Sequence, residues 1–309
     1  MQDRPVSYVG RFAPSPSGAL HLGSLTTAVA SFLHARQLGG EWLVRIDDID
    51  PPREVAGSAD RILRCLEALD LHWDRSVLYQ SSRIDAYRSA MQRLLAVQLA
   101  FRCCCTRKQL RDKQQQRLRY PGTCRARAEF SGPTSVRVRV HTGEDVFEDG
   151  LQGIIRTQLE NTEGDYVIFR SDGLPAYHLA AVLDDHEQGV TTVVRGVDLL
   201  ESTSVHRHLQ QTLGLPSPEY FHLPVLVNAT GQKLSKRTGA REIDVSDPSK
   251  IAQTVLARLG IQVPASLTAA PAALLWDWAG NHWDIGALKG LNSIIETGGA
   301  FVEMRPRPD

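Results

Sequence analysis

Residues 7–38 read SYVGRFAPSPSGALHLGSLTTAVASFLHARQL, and their order predicts a strand, a tight loop and a helix. Residues 7–12 are mostly apolar and predict a short strand. Two prolines and Gly18 then indicate a loop, because proline restricts the backbone and glycine permits tight turns. Residues 24–38 carry apolar side chains at helical spacing, namely Leu25, Ala28, Val29, Phe32 and Leu33. The stretch therefore predicts a helix that begins just after a strand has ended.

The strand-then-helix order repeats along the chain. A second strand is predicted at residues 42–46, directly before the acidic run RIDDID, and a second helix around residues 62–69. After an interruption that begins near residue 101, the order resumes with a strand at 191–194, a helix at 204–213 and a strand at 225–227. Alternating strands and helices predict an α/β protein with a parallel sheet. The interruption, which changes abruptly to cysteine and basic residues, predicts an inserted subdomain.

Composition excludes several classes of protein. The chain has 309 residues, 42% of them hydrophobic, which is enough for a sizeable core and excludes a fibrous or disordered protein. Basic and acidic residues number 35 each, so the net charge gives no sign of a nucleic-acid partner. The first residues lack the pattern of a signal peptide, and no apolar run approaches the roughly 18 residues of a membrane span. We expect a cytoplasmic protein with no membrane partner.

The segment HLGS at residues 21–24 predicts a phosphate site at the start of the first helix. The common motifs GxGxxG and GxxxxGK[ST] do not occur in the sequence. The free amides and positive dipole end of a helix N-terminus attract phosphate without them. Gly23 lets a nucleotide approach the backbone, and His21 can donate a hydrogen bond to a phosphate oxygen. The alternative is a solvated histidine on a rigid surface loop.

A second loop, GQKLSKRTG at residues 231–239, offers two cations for the same chemistry. Lys233 and Lys236 lie three residues apart between glycines that suit a mobile lid. Both ammonium groups can stabilise charge on a leaving pyrophosphate when such a lid closes. A basic loop alone is usually a solvated surface feature, so this prediction depends on the pairing with His21.

HLGS and KLSKR together resemble the two signature motifs of class I aminoacyl-tRNA synthetases. Five further segments are similar, in order, to the catalytic half of glutamyl-tRNA synthetases, and they lie between residues 5 and 240: RFAPSPSG, RIDDIDPPR, YVIFRSDGLPAYHLA, VLDDH and VVRGVDLLEST. The resemblance implies a Rossmann-like, doubly wound parallel sheet with an inserted α+β subdomain that handles the tRNA acceptor end. It also implies ATP, bound with Mg²⁺, as a substrate.

The resemblance further implies roles for individual residues. It assigns glutamate binding to Arg11, Ser15, Asp47, Tyr177 and Arg195. It assigns ATP binding to His21, Gly23, Ser24 and Lys236, and catalysis to His21, Lys233 and Lys236. Which arginine takes which carboxylate is open, and taken alone Arg195 could be a surface ion pair and Tyr177 a core aromatic. The family usually has Glu where this chain has Asp47, which makes a contact with the glutamate ammonium less direct.

The cysteines predict a metal site. Three of the five are consecutive, unlike the spaced, even set of a secreted disulfide-bonded domain. Thiolates suit zinc, and a tyrosine oxygen can complete a tetrahedral site. The order C-x-C…Y-x-x-x-C, which also occurs in short paralogues of the glutamyl-tRNA synthetases, predicts one structural Zn²⁺ bound by Cys103, Cys105, Tyr120 and Cys124. Cys104 could replace a neighbour as ligand, and the alternative for all four cysteines is a buried apolar role.

Residues 102–139 concentrate positive charge on a neutral chain. Eleven lysines and arginines lie there against two acids, Asp112 and Glu129. The excess predicts contact with an RNA backbone. The alternative is a solvated loop, and the two are compatible if the loop becomes ordered only when RNA binds.

The predicted elements divide the chain into four regions. Residues 1–100 and 191–245 form the two halves of the nucleotide-binding catalytic domain, the second with the KLSKR loop. Residues 101–190 contain the insertion with its zinc site, and residues 246–309 form a short helical segment. Only 72 residues follow Arg237, so we expect no anticodon-binding domain.

This short architecture and the cysteine pattern resemble glutamyl-tRNA synthetase paralogues that transfer glutamate to queuosine in the anticodon loop of tRNA-Asp. The resemblance implies a monomeric ligase whose partners are ATP, L-glutamate and tRNA-Asp carrying queuosine. Two alternatives stay open. One is an adenylate-forming ligase that transfers glutamate to another acceptor, and the other is a catalytically silent tRNA-binding paralogue.

Overall fold

The computed structural model describes residues 7–106, 108–110, 119–227, 242–296 and 302–306. The helices named below are α1 (Leu22–Gln37), α2 (Ser58–Ala68), α3 (Ile84–Ala96), α4 (Tyr177–Glu187), α5 (Leu200–Leu213), α6 (Pro248–Arg258) and α7 (Ala272–Gly280). The strands are β1 (Val9–Phe12), β2 (Glu41–Ile46), β3 (Leu78–Tyr79), β4 (Ala100–Cys103), β5 (Ser135–Val138), β6 (Asp145–Asp149), β7 (Gly153–Thr157), β8 (Val167–Phe169), β9 (Thr192–Gly196), β10 (Glu219–Leu223), β11 (Val225–Val227), β12 (Leu291–Glu296) and β13 (Val302–Pro306).

Two groups of parallel strands lie side by side at the centre of the molecule. β1, β2 and β3 pair in that order, and β9 pairs with β10. The backbone amide of Thr191 donates to the carbonyl oxygen of Val9 at 2.9 Å, which places β9 beside β1. The spatial order is β3-β2-β1-β9-β10, and the strands of each group run parallel, as expected for the predicted α/β class. Chain progression reverses between β1 and β9, and ligands of such sheets bind outside the carboxyl ends of the strands at this point.

Helix α1 covers the sheet beside this switch point. Its apolar side chains, among them Leu25, Val29 and Leu33, are fully buried and belong to the same core cluster as Trp42 of β2. The Trp42 indole N–H donates to the Ser31 hydroxyl at 3.2 Å, so the buried polar group of this large side chain is satisfied. The strand-loop-helix prediction for residues 7–38 is therefore confirmed. At 16 residues α1 is the longest of the named helices, and within the described ranges no helix combines the length and apolarity needed to cross a membrane.

The inserted region is largely antiparallel. β4, β5 and β8 form one sheet, and β6 and β7 form a separate hairpin. The three-stranded sheet packs with α3, α4 and α5 around a second core that includes Tyr87, Ile168 and Leu209. An antiparallel sheet packed on helices from both halves explains how the chain leaves the parallel sheet after α3 and returns to it at β9. The predicted region boundaries at residues 100 and 190 remain predictions.

The C-terminal region contains more than the predicted short helical segment. α6 and α7 are present, and they pack on α1 with Val255 and Leu275 fully buried. β12 and β13 were not predicted: β12 pairs parallel to β11, with Ile294 opposite Leu226, and antiparallel to β13. The helical description is therefore incomplete for residues 291–306. The signal was missed because β12 is stabilised by pairing with a strand more than 60 residues earlier, and a short apolar run has no periodicity of its own.

The entry into β2 tolerates no side chain at Gly40. A Cβ there would lie inside contact distance of the Tyr8 carbonyl oxygen, which accepts the Glu41 amide at 2.9 Å. We expect Gly40→Ala to destabilise the protein by about 1–3 kcal/mol, because the strand start must shift. Gly280 is the matched control, since a Cβ there meets nothing within 4 Å. Gly280→Ala should be neutral or stabilising by up to about 1 kcal/mol. Thermal or urea unfolding of both variants tests this, and equal stabilities would contradict the register at β2.

Candidate active site

A cavity of about 790 Å³ opens at the carboxyl ends of β1, β2 and β9. It lies at the switch point of the sheet. All the sequence-predicted ATP and glutamate residues that fall in the described ranges line it: Arg11, Ser15, His21, Gly23, Ser24, Asp47, Tyr177 and Arg195. Lys233 and Lys236 lie outside the described residues. One cavity is thus lined by residues of RFAPSPSG, HLGS, RIDDIDPPR, YVIFRSDGLPAYHLA and VVRGVDLLEST.

His21 caps the N-terminus of α1 at the cavity wall. Its Nδ1 accepts a hydrogen bond from the Ser24 backbone amide at 3.2 Å, and its Nε2 lies 3.0 Å from the Ser24 hydroxyl. Gly23 makes room for this geometry, because a Cβ there would lie 3.2 Å from the imidazole Nδ1. The positive end of the helix dipole, with HLGS around it, is therefore available to an anion in the cavity.

Four charged side chains form a buried network beside this helix terminus. The Arg11 Nε donates to Asp185 at 3.2 Å, and the Arg45 Nη1 donates to the same carboxylate oxygen at 2.6 Å. The Arg45 Nε donates to Asp47 at 2.9 Å. Two guanidinium groups thus face two carboxylates, and their charges balance. Arg45 and Asp185 were missed as site residues, although a charged residue inside the apolar strand EWLVRI and the paired acids of VLDDH were signals that could have indicated them.

The pKa values of Asp47 and Asp185 are shifted in opposite directions by burial and by ion pairing. Burial raises the pKa of Asp47 to about 6, against the opposing effect of Arg45. Burial also acts on Asp185, but there Arg11 and Arg45 outweigh it and hold the pKa of that carboxyl below its ordinary value. Asp185 is therefore the permanent counter-ion of the network, while Asp47 can gain a proton in mildly acidic solution.

Arg195 is buried as Arg11 and Arg45 are, but its guanidinium hydrogen bonds to neutral groups. Its Nη1 donates to the Tyr177 hydroxyl at 3.3 Å, its Nε to a ring nitrogen of His222 at 3.1 Å, and its Nη2 to the Thr203 hydroxyl at 2.7 Å. Its residue exposure is 4%. Among the side chains that the structure describes, no carboxylate lies within ion-pairing distance of it. A buried guanidinium of this kind can donate hydrogen bonds to a carboxylate of a ligand and form an ion pair with it.

The predicted metal ligands also come together. The three sulfur atoms of Cys103, Cys105 and Cys124 lie within 4.8 Å of one another, with 3.6 Å between those of Cys105 and Cys124. The Tyr120 hydroxyl lies 3.3 Å from the Cys103 sulfur and 3.9 Å from that of Cys105. Zinc–sulfur bonds of about 2.3 Å in a tetrahedron require sulfurs about 3.8 Å apart, so the donor set fits zinc. Cys104 points elsewhere, with its sulfur 3.2 Å from the Arg127 Nη1.

The basic stretch is only partly available to RNA. Arg102, Arg119 and Arg127 are exposed around the cysteine cluster. Arg137, however, is buried, with its guanidinium 4.1 Å from the Tyr120 ring centre and one nitrogen donating to the Asp165 carbonyl oxygen. The charge count alone did not separate this structural arginine from the exposed ones, because burial depends on the partner strand.

Comparisons with known proteins show the family to which the chain belongs. The family model for the catalytic domain of class I tRNA synthetases (E and Q) matches residues 8–268. A protein of Methylococcus capsulatus named Glutamyl-Q tRNA(Asp) synthetase is 51% identical over 298 residues, which cover 96% of this chain and 97% of that one. A protein of Dechloromonas aromatica with the same name is 47% identical and covers 93% of this chain and 98% of its own. The chain therefore belongs to the glutamyl-Q tRNA(Asp) synthetase family.

A solved structure supports the fold of this class I ligase. The glutamate tRNA ligase of Elizabethkingia meningosepticum, solved in complex with its amino acid, superposes with a TM-score of 0.78 at 23% sequence identity. The match covers 93% of this chain and 66% of that one. Membership of the glutamyl-Q tRNA(Asp) synthetases makes the chain a ligase of the aminoacyl-tRNA synthetase type.

The cysteine cluster leads to a prediction about the metal content of the protein. We expect about one zinc ion per chain, and its loss in Cys103→Ser and Cys124→Ser, because a serine hydroxyl is a poor replacement for a thiolate ligand. Cys104→Ser is the matched control and should retain the metal, since its sulfur faces Arg127. Elemental analysis of the purified variants measures this. Zinc retained in Cys103→Ser but lost in Cys104→Ser would contradict the ligand set.

Proposed function

We propose that the chain activates L-glutamate with Mg-ATP and transfers the glutamyl group to queuosine in the anticodon loop of tRNA-Asp. The observation that carries the proposal is Arg195, a buried cation at the cavity that lacks a carboxylate partner among the described side chains. A substrate carboxylate would neutralise it. The name shared by the relatives, Glutamyl-Q tRNA(Asp) synthetase, supports the choice of amino acid and acceptor.

In this proposal Arg195 and Tyr177 bind one carboxylate of glutamate. Their donor groups lie 3.3 Å apart and both residues line the cavity. Arg11 contributes hydrogen bonding more than charge, because Asp185 already neutralises it. Ser15 adds a hydroxyl, and Asp47 is the acid that receives the substrate ammonium group. The cavity therefore offers a dicarboxylic amino acid a cation for one carboxylate, Arg195 of β9, and an acid for its ammonium group, Asp47 after β2.

The activation step uses the α1 terminus. An oxygen of the glutamate α-carboxylate attacks the α-phosphorus of ATP, the bond to the bridging oxygen breaks, and pyrophosphate leaves with Mg²⁺. The N-terminus of α1, formed by His21, Gly23 and Ser24, brings its helix dipole to the phosphates, while Lys233 and Lys236 neutralise the leaving group. Glutamyl-adenylate results, with no covalent enzyme intermediate.

The transfer step releases AMP. A hydroxyl on the cyclopentenediol of queuosine attacks the activated carbonyl carbon, loses its proton, and forms an ester as AMP leaves. The exposed arginines around the cysteine cluster, Arg102, Arg119 and Arg127, are suited to contact an RNA backbone. The cluster itself, with zinc bound, would keep this small region folded when RNA docks.

The raised pKa of Asp47 leads us to expect that kcat/KM for glutamate depends on pH. We expect kcat/KM for glutamate to fall as the pH drops through about 6, because the raised pKa of Asp47 means that it gains a proton there and loses its charge for the ammonium group. Well below that pH the fall should approach about tenfold per pH unit. Glutamate-dependent ATP–pyrophosphate exchange measures it. Asp47→Asn should have a lower kcat/KM that no longer changes through this range, and a variant that keeps the wild-type profile would remove Asp47 from the site.

The acceptor is tested by transfer of radiolabelled glutamate. We expect label on tRNA-Asp that carries queuosine and none on tRNA-Asp without it.

Lys236→Ala serves as the catalytic control and should lower adenylate formation at least about tenfold, as loss of one preorganised cation does. Label on tRNA-Glu would reject the acceptor. Exchange without transfer to any tRNA would favour a ligase with another acceptor, and a wild-type protein without exchange would favour the silent paralogue.

A further inference from the structure

Two buried residues that do not line the cavity, His222 and Asp149, form a hydrogen-bonded chain with Arg195 on the side away from the cavity. His222 of β10 is fully buried, and Asp149, the last residue of β6, is 1% exposed. The His222 Nδ1 lies 2.5 Å from the Asp149 Oδ2, and the His222 Nε2 receives the Arg195 Nε–H at 3.1 Å. A chain of two hydrogen bonds thus connects a buried carboxylate to the guanidinium assigned to the substrate.

The protonation state of His222 follows from its neighbours. The Nε2 faces the Arg195 Nε–H and also the Thr203 hydroxyl, at 3.0 Å. Thr203 accepts from the Arg195 Nη2, so its own proton is free to be donated to the ring. With two donors directed at it, Nε2 is an acceptor and the ring proton lies on Nδ1, from which it is donated to Asp149. The network is satisfied only with a neutral imidazole in this tautomer.

Asp149 is itself fixed in orientation. Its Oδ1 accepts backbone amides of Leu151, Gln152 and His222, at 3.0, 2.8 and 3.2 Å. Only Oδ2 is therefore directed at the imidazole. The turn after β6 holds the carboxylate, and the carboxylate selects the tautomer. The acceptor for the Arg195 Nε–H is therefore set by a segment that does not line the cavity, while Thr203 and the Leu199 carbonyl oxygen accept from Nη2.

We propose that Asp149 and His222 are positioning residues that hold the Arg195 guanidinium, through the Nδ1–H tautomer of His222, in the orientation that receives the substrate carboxylate. The arrangement leaves the Arg195 Nη1 beside the Tyr177 hydroxyl at the cavity, while Nε and Nη2 are occupied by protein acceptors. It also places negative charge near Arg195 without a direct ion pair, so the cation stays available to a ligand. The inference rests on the proposed use of glutamate as substrate.

The substitution Asp149→Asn inverts the network with little change of shape. The asparagine oxygen would keep the three backbone donors, which leaves its NH₂ group facing the His222 Nδ1. That nitrogen must then accept, the ring proton moves to Nε2, and two donors oppose each other at Arg195. His222→Gln is the conservative variant, because a carboxamide can both donate to Asp149 and accept from Arg195.

We expect Asp149→Asn to raise KM for glutamate at least about tenfold in ATP–pyrophosphate exchange, the effect of a lost hydrogen bond to a charged group. KM for ATP should change less than about twofold. His222→Gln should stay closer to wild type. Asp165→Asn is the matched control: Asp165 is as buried as Asp149 and is paired with Arg125 in the insertion, so its loss can reduce stability without altering KM for glutamate.

Two kinetic results would overturn the inference. One is a wild-type KM for glutamate in Asp149→Asn, and the other is a parallel rise in both KM values that Asp165→Asn reproduces. The tautomer is tested on the wild-type protein, so that misfolding of a variant cannot obscure the outcome. In ¹⁵N-histidine NMR spectra, with the signal assigned by its loss in His222→Gln, His222 should be neutral and protonated at Nδ1. An imidazolium or an Nε2–H tautomer would reject the proposal even if wild-type exchange, and with it the proposed function, were absent.

Discussion

The burial of three guanidinium groups beside one cavity is the constraint on which the rest of the site depends. Arg11, Arg45 and Arg195 are each at most 5% exposed, and a buried cation is stable only if charge or hydrogen-bond acceptors surround it. Asp185 of α4 and Asp47 after β2 serve the first two. The third is surrounded by neutral acceptors from β10 and α5. The difference separates structural cations from the one that a ligand can pair with.

The same constraint explains why the insertion is built into the catalytic half. Asp149, at the end of β6, hydrogen bonds with His222 of β10, and the Gln152 amide group donates to the carbonyl oxygens of His222 and Leu291. The hairpin β6–β7 is therefore attached to the parallel sheet by polar contacts as well as by packing. Among its described residues, the small cysteine-containing part of the insertion has a buried cluster of only Phe101, Tyr120 and two cysteines. A region with so little apolar burial is where a bound metal contributes most to folding.

Features that depend on neighbouring residues in the sequence were predicted, whereas features that depend on distant partners were not. The β1-loop-α1 unit and the convergence of HLGS, RIDDID and VVRGVD at one edge were predictable, because strand and helix periodicity are local and carboxyl ends of parallel strands share an edge. The proximity of Cys103, Cys105, Tyr120 and Cys124 was predictable from their spacing, whereas the position of Cys104 was left open. β12, Arg45 and the pair of Asp149 with His222 were not predicted. Each depends on a partner between 60 and 140 residues away in sequence.

By itself the sequence determined the α/β order of elements, a helix that begins close to HLGS, the four candidate metal ligands and the residues whose chemistry suits an amino-acid and nucleotide site. These follow from periodicity, from turn residues and from donor atoms a few positions apart. Only the tertiary structure decided which of the three arginines lacks a carboxylate partner among the described side chains, which basic residues of the insertion are buried, and which acid lies behind Arg195. Charge compensation acts over a few ångströms in space, and that proximity is created by the packing of β6, β9, β10 and α4 rather than by any stretch of sequence.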